Sequence, residues 1–364
     1  MTRLRLAVVG VGHLGQEHAR ILAGLPEIEL IGVADLNVEQ AQAVARRCGT
    51  QAFPTHGPLL NLVDAAVIAA PTAQHHFIAC EFLRRGIALL VEKPLAATLQ
   101  EANELVELAA HHGAILQVGH IERFNPAFEE LQSRPLQPKF VEAERLGPFT
   151  GRSLDIGVVL DLMIHDLDLL SALLQSPVQK LDAIGAAIFG GHEDVVNARL
   201  TFANGCVANL TASRASTRPV RRMRIWAPEG YAALNFAKRR LTLVQPSNDF
   251  RRHGLRACRP KPASQRLAKA GIFGSQLEVL ELDCNRGDQL TRELRHFVEC
   301  VRTRARPRVT GEDGRDAVAI AMRILEAVRA HQWEGRADGP TGPRELPAPL
   351  GPLFSSCEKR ERAA

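Results

Sequence analysis

A glycine-rich turn near the N-terminus constrains this fold more than any other feature of the 364-residue sequence. It follows a short apolar run, Leu6 to Val9, and precedes a helical pattern that ends near Ala23. In such a strand–turn–helix unit, the first glycine permits a tight turn, the second lets the backbone approach a pyrophosphate, and the third allows close helix–strand packing. The helix N-terminus then faces the phosphates. The predicted cofactor-binding turn reads Gly10-Val11-Gly12-His13-Leu14-Gly15.

An acidic residue stands where the second strand of such a domain ends. Asp35 lies twenty residues after Gly15, where a carboxylate can accept hydrogen bonds from both ribose hydroxyls and repel a 2′-phosphate. The next residues, Leu36 and Asn37, offer no arginine to neutralise such a phosphate. We therefore expect NAD, rather than NADP, as the cofactor.

The first third of the chain alternates short apolar strands with helical patterns, as in a parallel sheet with helices on both faces. The predicted strands are Leu6–Val9, Leu30–Ala34, Ala65–Ala69, Ile87–Val91 and Ile115–Val118. The predicted helices are Leu14–Ala23, Val38–Arg47, Gln74–Arg85 and Leu99–His111. The fold class is therefore α/β, and residues 1–120 are predicted to form a doubly wound Rossmann domain.

The pattern changes after about Ile121. Closely spaced strands joined by turns such as Asn204-Gly205 predict a largely antiparallel sheet, and helical patterns lie at Val158–Leu174, Asp288–Arg302 and Gly314–Arg329. We assign residues 121–335 to a second α/β domain with a large, mostly antiparallel sheet. Residues 336–364 are rich in proline and glycine without periodicity, and we predict a disordered tail that folding does not require.

Composition excludes several classes of protein. No run of about 18 apolar residues predicts a membrane span, and the apolar run ending at Gly10 is too short for a signal peptide. The cysteines are scattered and never spaced as C-x-x-C, so we expect neither a disulfide framework nor a zinc site, and a reducing, cytoplasmic location. They are Cys48, Cys80, Cys206, Cys258, Cys284, Cys300 and Cys357.

The net charge of +5 comes largely from one segment between Pro246 and Ala270. This segment is either a solvated surface loop or an electropositive rim for an anionic substrate. Only Phe250 supplies an aromatic ring nearby, so stacking on nucleic acid bases is not expected. The basic residues are Arg251, Arg252, Arg256, Arg259, Lys261, Arg266 and Lys269.

Two segments carry the residue types that alcohol oxidation by a nicotinamide cofactor requires. Lys93 ends the fourth predicted strand, at the sheet edge where ligands bind, although a solvated lysine is the alternative. Asp161 and His165 are four residues apart and would share a helix face. A surface pair, a buried histidine and two metal ligands are the other interpretations of that spacing. Because no third ligand cluster presents itself, no metal is expected.

The ordered motifs together resemble the glucose-fructose oxidoreductase/inositol dehydrogenase/rhizopine-catabolism (Gfo/Idh/MocA) family from about Leu4 to about Arg329. The motifs that carry the resemblance are Gly10 to Gly15, Asp35, Pro71-Thr72-Ala73-Gln74-His75, Glu92-Lys93-Pro94, Arg123-Phe124-Asn125-Pro126 and Asp161 to His165. The resemblance implies that His165 accepts the substrate proton, Lys93 polarises the reacting oxygen, and Asp161 orients both substrate and histidine.

The same resemblance implies further contacts and an assembly. The residues expected to line the nicotinamide and its ribose are Pro71, Thr72, His75, Glu92 and Pro94. Members of the family commonly form oligomers through the C-terminal sheet, so we expect a homo-oligomer here. The chain departs from many members because Asp155-Ile156-Gly157-Val158-Val159 replaces their paired glycines.

Three segments are similar to the UDP-N-acetylglucosamine 3-dehydrogenase branch, which is associated with lipid A precursors: Val118–Pro126, Val159–Asp166 and Asn204–Arg214. This similarity implies NAD-dependent oxidation of the 3-hydroxyl of a UDP-linked amino sugar. Arg123, Asn125 and Arg214 are then expected to bind substrate, and Arg221 and Arg222 also offer forked donors for a diphosphate. The alternatives are a dehydrogenase of a free sugar or inositol and a non-catalytic NAD-binding regulator.

Overall fold

The computed structural model of the protein describes residues 3–151, 155–189, 191–253, 277–285, 287–334 and 341–345. Its first sheet has six parallel strands in the order β3-β2-β1-β4-β5-β6. These strands are β1 (Leu4–Val9), β2 (Ile28–Ala34), β3 (Gln51–Phe53), β4 (Ala65–Ile68), β5 (Ala88–Glu92) and β6 (Leu116–Gly119).

Helices connect the strands of this sheet. They are α1 (His13–Ala23), α2 (Val38–Cys48), α3 (Thr72–Leu83) and α4 (Leu99–His112). Every predicted strand and helix of this region is present, and the predicted doubly wound Rossmann sheet is confirmed; β3 is an additional short strand. Because the strand order reverses between β1 and β4, their carboxyl ends open a crevice of the kind that binds ligands.

The second sheet has nine strands in the order β14-β13-β12-β11-β7-β10-β9-β8-β15. Its strands are β7 (Phe140–Leu146), β8 (Val178–Ala187), β9 (Val195–Phe202), β10 (Val207–Ser213), β11 (Val220–Ala227), β12 (Gly230–Asn235), β13 (Arg240–Pro246), β14 (Leu277–Asp283) and β15 (Arg344–Glu345). The pairs β7–β10 and β8–β15 are parallel and the other pairs are antiparallel. The predicted mostly antiparallel sheet is therefore confirmed. Strands β13, β14 and β15 were not predicted from the sequence.

Helices cover one face of the second sheet. After the short helix α5 (Pro126–Gln132), a π-helical turn at Val159–Met163 leads into α6 (Ile164–Leu174). The later helices are α7 (Asn248–His253), α8 (Gln289–Thr303) and α9 (Gly311–Ala330). Apolar side chains from α6, α9 and alternate strand positions form one buried core. The other face carries exposed polar side chains such as Asn197 and Arg199.

Helix α8 does not follow the division of the sequence at residue 120. Its apolar face, with Leu290, Leu294, Phe297 and Val298, belongs to the buried core on one side of the parallel sheet. Val309, which follows it, lies in the core on the other side. After the second sheet, the chain therefore returns to the first domain and completes its core with α8. Helix α9 then packs on the second sheet.

A short piece of the predicted tail pairs with the second sheet. Within residues 341–345, β15 pairs in parallel with β8. The indole Nε1 of Trp333 donates a hydrogen bond of 2.8 Å to the carbonyl oxygen of Gly342. The backbone of these residues is held by an exposed sheet edge, and the disorder predicted for the tail as a whole stays a prediction. The remainder of the tail and most of the basic segment lie outside the described residues.

Membrane insertion was not expected from the sequence. No helix in the described part of the chain combines the length and the apolar character needed to span a bilayer.

Candidate active site

The glycine turn leaves the N-terminus of α1 open. Gly10 has a φ of +83°, and a Cβ at Gly15 would lie 1.8 Å from the carbonyl oxygen of Gly10. A Cβ at Gly12 would meet no heavy atom of the described chain within 4 Å, and no side chain caps the helix. His13 and Leu14 are exposed there. Because the first N–H groups of α1 have no helical partner, the turn is suited to hold a pyrophosphate.

Asp35 lies at the carboxyl end of β2, beside this turn. One carboxylate oxygen accepts a hydrogen bond of 2.8 Å from the Val11 backbone N–H, and the other accepts one of 2.9 Å from the Asn37 backbone N–H. A cavity of about 340 Å³ adjoins it, lined in part by Pro71 and Phe77. A carboxylate has about four acceptor positions, so Asp35 retains capacity for ribose hydroxyls. These residues fit the adenosine half of NAD.

Lys93 joins the two domains at the carboxyl edge of β5. Its ammonium nitrogen donates a hydrogen bond of 2.8 Å to Oδ1 of Asp161 and one of 2.6 Å to the Asp161 backbone carbonyl oxygen. Lys93 and Asp161 are only 14% and 23% exposed at the side chain. The sequence predicts that Asp161 and His165 share a helix face, and in the structure the Asp161 carboxylate bonds to the lysine.

A π-helical turn holds Asp161. The sequence predicted one continuous helix over Val158–Leu174, in which Asp161 and His165 would lie one turn apart. In the structure the wider turn at Val159–Met163 precedes α6. Insertions of this kind are rare within helices and recur at functional sites. Both residues lie near Lys93, since Asp161 bonds the lysine ammonium and the lysine charge lowers the pKa of His165.

His165 is partly buried on α6. Burial and the positive charges of Lys93 and Arg145 hold the pKa of His165 well below its ordinary value. The imidazole is therefore neutral at physiological pH. Its Nδ1 is covered by protein and has no hydrogen-bonding partner among the described residues.

Glu92 and His75 lie behind the surface that faces the crevice. Glu92 is buried, with Oε1 2.8 Å from Nε2 of His18. Burial favours its neutral form, but the hydrogen bond and charge of His18 outweigh that effect and hold the pKa of Glu92 below its ordinary value. Both nitrogens of His75 lie 2.8 Å from backbone carbonyl oxygens, those of Pro94 and Ala70.

His75 therefore ties the loop after β4 to the loop after β5. Burial lowers its pKa, and a neutral imidazole has one N–H, so one of the two contacts is a hydrogen bond at a time. Pro71 is exposed at the start of α3 and Thr72 is buried beside it. Whether these residues line the nicotinamide stays a prediction.

The sequence matches two family descriptions. Residues 4–120 match the Gfo/Idh/MocA oxidoreductase family with an NAD-binding Rossmann fold, and residues 131–233 match the C-terminal domain of the same family. UDP-N-acetylglucosamine 3-dehydrogenase from Acidithiobacillus ferrooxidans is 36% identical over 331 residues, which span 91% of this chain and 99% of that protein. This chain belongs to the Gfo/Idh/MocA family. It is an NAD-dependent oxidoreductase that acts on a CH–OH group, as the resemblance implied.

Other relatives of this Gfo/Idh/MocA oxidoreductase extend the comparison. A solved structure of the Acidithiobacillus ferrooxidans enzyme has a TM-score of 0.80 and covers 90% of this chain and 98% of its own. The scyllo-inositol 2-dehydrogenase (NAD(+)) of Bacillus subtilis is 26% identical over 348 residues, covering 90% and 94% of the two chains. An Agrobacterium radiobacter oxidoreductase solved with NAD+, 15% identical with a TM-score of 0.74 and covering 90% and 96% of the two chains, shares the fold.

Three residues expected to bind substrate are turned inward in this oxidoreductase. Arg123 is buried, with Nε 2.9 Å from Asp168. Asn125 is fully buried, and its amide caps α5 and donates hydrogen bonds to Glu122 and to the Phe236 carbonyl oxygen. Arg214 is also buried and pairs with Asp194. In the structure these side chains hold the scaffold of the cleft, and their role in substrate binding stays a prediction of the sequence.

Arg145 organises a second buried ion-pair network that sequence reasoning missed. From β7 it contacts Asp166 at 2.8 Å and Glu122 at 3.0 Å. Despite burial, these carboxylates raise the pKa of Arg145 above its ordinary value. The network fixes α6 immediately after His165. A signal was present, because α6 is apolar on nearly all sides and its acids, Asp166 and Asp168, would require internal partners.

One trio of metal-ligating residue types lies outside the cleft. His76 and Cys80 on α3 and Glu104 on α4 have ligand atoms within 4.8 Å of one another. His76 Nε2 and Glu104 Oε2 are 2.9 Å apart, and Arg84 lies 3.7 Å from the same carboxylate. Burial and the charge of Glu104 raise the pKa of the Cys80 thiol to about 11. Hydrogen bonds and ion pairs account for the clustering of His76, Cys80 and Glu104. That the protein binds no metal stays a prediction.

Proposed function

We propose that this oxidoreductase removes hydride from the 3-carbon of a UDP-linked N-acetyl amino sugar and passes it to NAD, in the pathway to lipid A precursors. The observation that carries the proposal is the junction of Lys93 with Asp161 beside His165, at the sheet edge that also holds the glycine turn. The 36% identity to the Acidithiobacillus ferrooxidans enzyme over nearly its whole length supports the choice of substrate.

Lys93 and His165 have different roles at the reacting hydroxyl of the substrate. Nicotinamide, when bound, supplies the acceptor for the hydride that leaves the carbon. The Lys93 ammonium, held by Asp161, is placed to donate a hydrogen bond to the reacting oxygen and to stabilise negative charge as it develops. His165 is neutral and can accept the hydroxyl proton. Because the charged imidazolium is disfavoured by its surroundings, the proton must leave His165 again soon after transfer.

Arg221 supports a nucleotide-linked substrate. It lies directly opposite Arg145 in the β7–β11 ladder, so both side chains project from the same face of the sheet, towards the cleft. Arg145 is buried and paired, whereas Arg221 is exposed and has no side-chain hydrogen bond or ion pair to any described residue. Its charge acts on His165, Glu122 and Asp166. An exposed guanidinium here suits a diphosphate.

The direct test is a substrate panel. UDP-N-acetylglucosamine, free N-acetylglucosamine and myo-inositol would be incubated with NAD while NADH absorbance is followed. Borodeuteride reduction of the product and mass spectrometry would locate the oxidised carbon. The proposal expects turnover of the UDP-sugar with deuterium at C3. Turnover of inositol alone would favour the free-polyol alternative, and deuterium at another carbon would refute the assignment of the 3-hydroxyl.

We also propose a homo-oligomer in the cytoplasm. The open face of the second sheet carries partly exposed aromatic and charged side chains, among them Trp226, whose ring contacts those of Phe140 and Tyr231. Such a half-apolar sheet face is suited to a second copy. The thiols of Cys48, Cys80, Cys206 and Cys300 are not disulfide-bonded, which agrees with a reducing compartment. Sedimentation analysis of wild type and Trp226→Asp would test the interface.

A further inference from the structure

His120 is a buried histidine in the segment Val118–Pro126, and the chemistry described so far gives it no role. It directly follows β6, and its backbone is fixed by hydrogen bonds with Val118 and Arg123. Its side chain is fully buried, yet neither Nδ1 nor Nε2 has a hydrogen-bonding partner among the described residues. Leaving a buried polar group without a partner costs about 1–3 kcal/mol. The position therefore requires an explanation beyond packing.

The ring of His120 faces the ring of His165. Their centroids are 6.2 Å apart and their planes are nearly perpendicular, at 83°. Nδ1 of His165 is likewise covered and without a protein partner, while the residue as a whole keeps some exposure. We infer that the open edge of His165 carries Nε2. The two inward edges are too far apart for a direct bond, but one water making two bonds of about 2.8 Å spans roughly 4.5 Å.

Charges from several elements surround His120. Burial, followed by the positive charges of Arg123 and Lys93, lowers its pKa to about 3. Glu92 on β5 and Asp313 on α9 act in the opposite direction. His120 is therefore neutral at physiological pH, and a neutral imidazole can accept one hydrogen bond and donate another.

We propose that His120 is a positioning residue that holds Nδ1 of His165 protonated through one buried water. His165 then presents an unprotonated Nε2 to the sugar hydroxyl. When Nε2 takes the hydroxyl proton, His165 becomes an imidazolium whose Nδ1–H stays bonded to the water, and His120 stays neutral, so the number of protons balances. The role in turnover rests on the proposed dehydrogenase function, whereas the effect on the tautomer of His165 does not.

The test uses two substitutions of His120 and one control. His120→Phe keeps a ring but removes both nitrogens, and His120→Gln restores a group that can accept and donate. His296→Phe is the control, because His296 is another packed histidine and accepts a hydrogen bond of 2.9 Å from the Arg308 backbone N–H. We would measure melting temperature, kcat, KM for NAD, and the ring-nitrogen NMR shifts of His165, assigned with His165→Gln.

We expect His120→Phe to lower kcat about 10-fold with an unchanged KM for NAD, and its melting curve to show that the variant is folded. His165 should lose its single Nδ1-protonated tautomer in this variant and keep it in His296→Phe. His120→Gln should recover part of both. An unchanged tautomer in His120→Phe would overturn the proposal, as would a kcat within twofold of wild type. If no substrate is turned over at all, the proposed function fails while the NMR result still decides the role of His120.

Discussion

The ammonium of Lys93 is bound twice by Asp161, once by the side-chain carboxylate at 2.8 Å and once by the backbone carbonyl oxygen at 2.6 Å. The two bonds cross from the end of β5 to the π-helical turn that precedes α6. The lysine is therefore aimed by both domains at once. A substrate oxygen that takes the place of either Asp161 oxygen would contact an ammonium charge that is already in position. Electrostatic stabilisation of a transition state requires such a preorganised charge.

Removal of the proposed catalytic side chains, Lys93 and His165, should reduce turnover without loss of cofactor binding. We expect Lys93→Ala and His165→Ala each to lower kcat about 10²-fold or more, with little change in the Kd for NAD. Lys180→Ala, at an exposed position on β8, is the control. Steady-state and single-turnover kinetics with melting curves would decide the matter. A stable, fully active His165→Ala enzyme would refute the mechanism.

Asp35 should determine the choice between NAD and NADP. Its replacement by serine removes the negative charge that would repel a 2′-phosphate and weakens the bonds to the ribose. We expect Asp35→Ser to lower the preference for NAD, measured as kcat/KM for NAD divided by kcat/KM for NADP, about 10-fold. Glu39→Gln, an exposed neutralisation nearby, should leave the ratio unchanged. Equal use of both cofactors by wild type would contradict the role given to Asp35.

Arg221 and Arg222 are neighbours on β11 that point to opposite faces, which makes them a matched pair. Arg222 pairs with Glu144 on the far face. We expect Arg221→Gln to raise KM for a UDP-sugar about 10-fold or more, since a charged hydrogen bond is lost, with kcat little changed. Arg222→Gln should have no such effect. Equal KM values in the two variants would show that the diphosphate binds elsewhere.

Glu293 on α8 should make the enzyme less stable as pH rises. Burial, then the charges of Glu92 and Asp168, raise its pKa well above the ordinary value, and neither carboxyl oxygen has a partner among the described residues. The native state therefore keeps a proton that the unfolded state loses above about pH 4.3. The contribution of this proton to the free energy of unfolding is fully present below that pH and is lost as pH rises towards the native pKa of Glu293.

Glu293→Gln cannot ionise, so its stability should not show this part of the decline. We expect its melting temperature to exceed that of wild type by roughly 2–4 °C at pH 9, with a smaller difference at pH 6. The exposed Glu107→Gln substitution on α4 should follow wild type at both values. A constant offset between Glu293→Gln and wild type across the range would show that Glu293 does not hold the proton.

The parallel domain was predictable because each of its main elements has its own local signal. Apolar runs, helical spacing and the Gly10–Gly15 turn lie within short windows of sequence. Strands β13 and β14 were missed because strands at the end of a sheet carry a weaker pattern; β14 is the edge strand and β13 is its neighbour. In β14, Val279 and Leu280 are adjacent and both about half exposed, so the alternation that indicates a strand is absent.

The candidate site was predictable residue by residue but not as an arrangement. Lys93 and Asp161 are 68 positions apart in the chain, and nothing local indicates that the lysine, rather than His165, receives the carboxylate. The π-helical turn was also unpredictable, because a five-residue stretch that is apolar except for Asp161 is compatible with either an α-helical or a π-helical turn. The inward pairing of Arg123 and Arg214 depends on Asp168 and Asp194, whose burial only the assembled sheet determines.

Helix α8 has a consequence for synthesis of the chain. Its apolar face completes one core of the parallel sheet, although it follows that sheet by about 170 residues in the sequence. Domains usually fold in order as they leave the ribosome, but here the first domain lacks part of its interior until residue 303 has emerged. The nascent nucleotide-binding domain therefore exposes an apolar surface until α8 has been synthesised. A fragment of residues 1–120 made alone should be prone to aggregate.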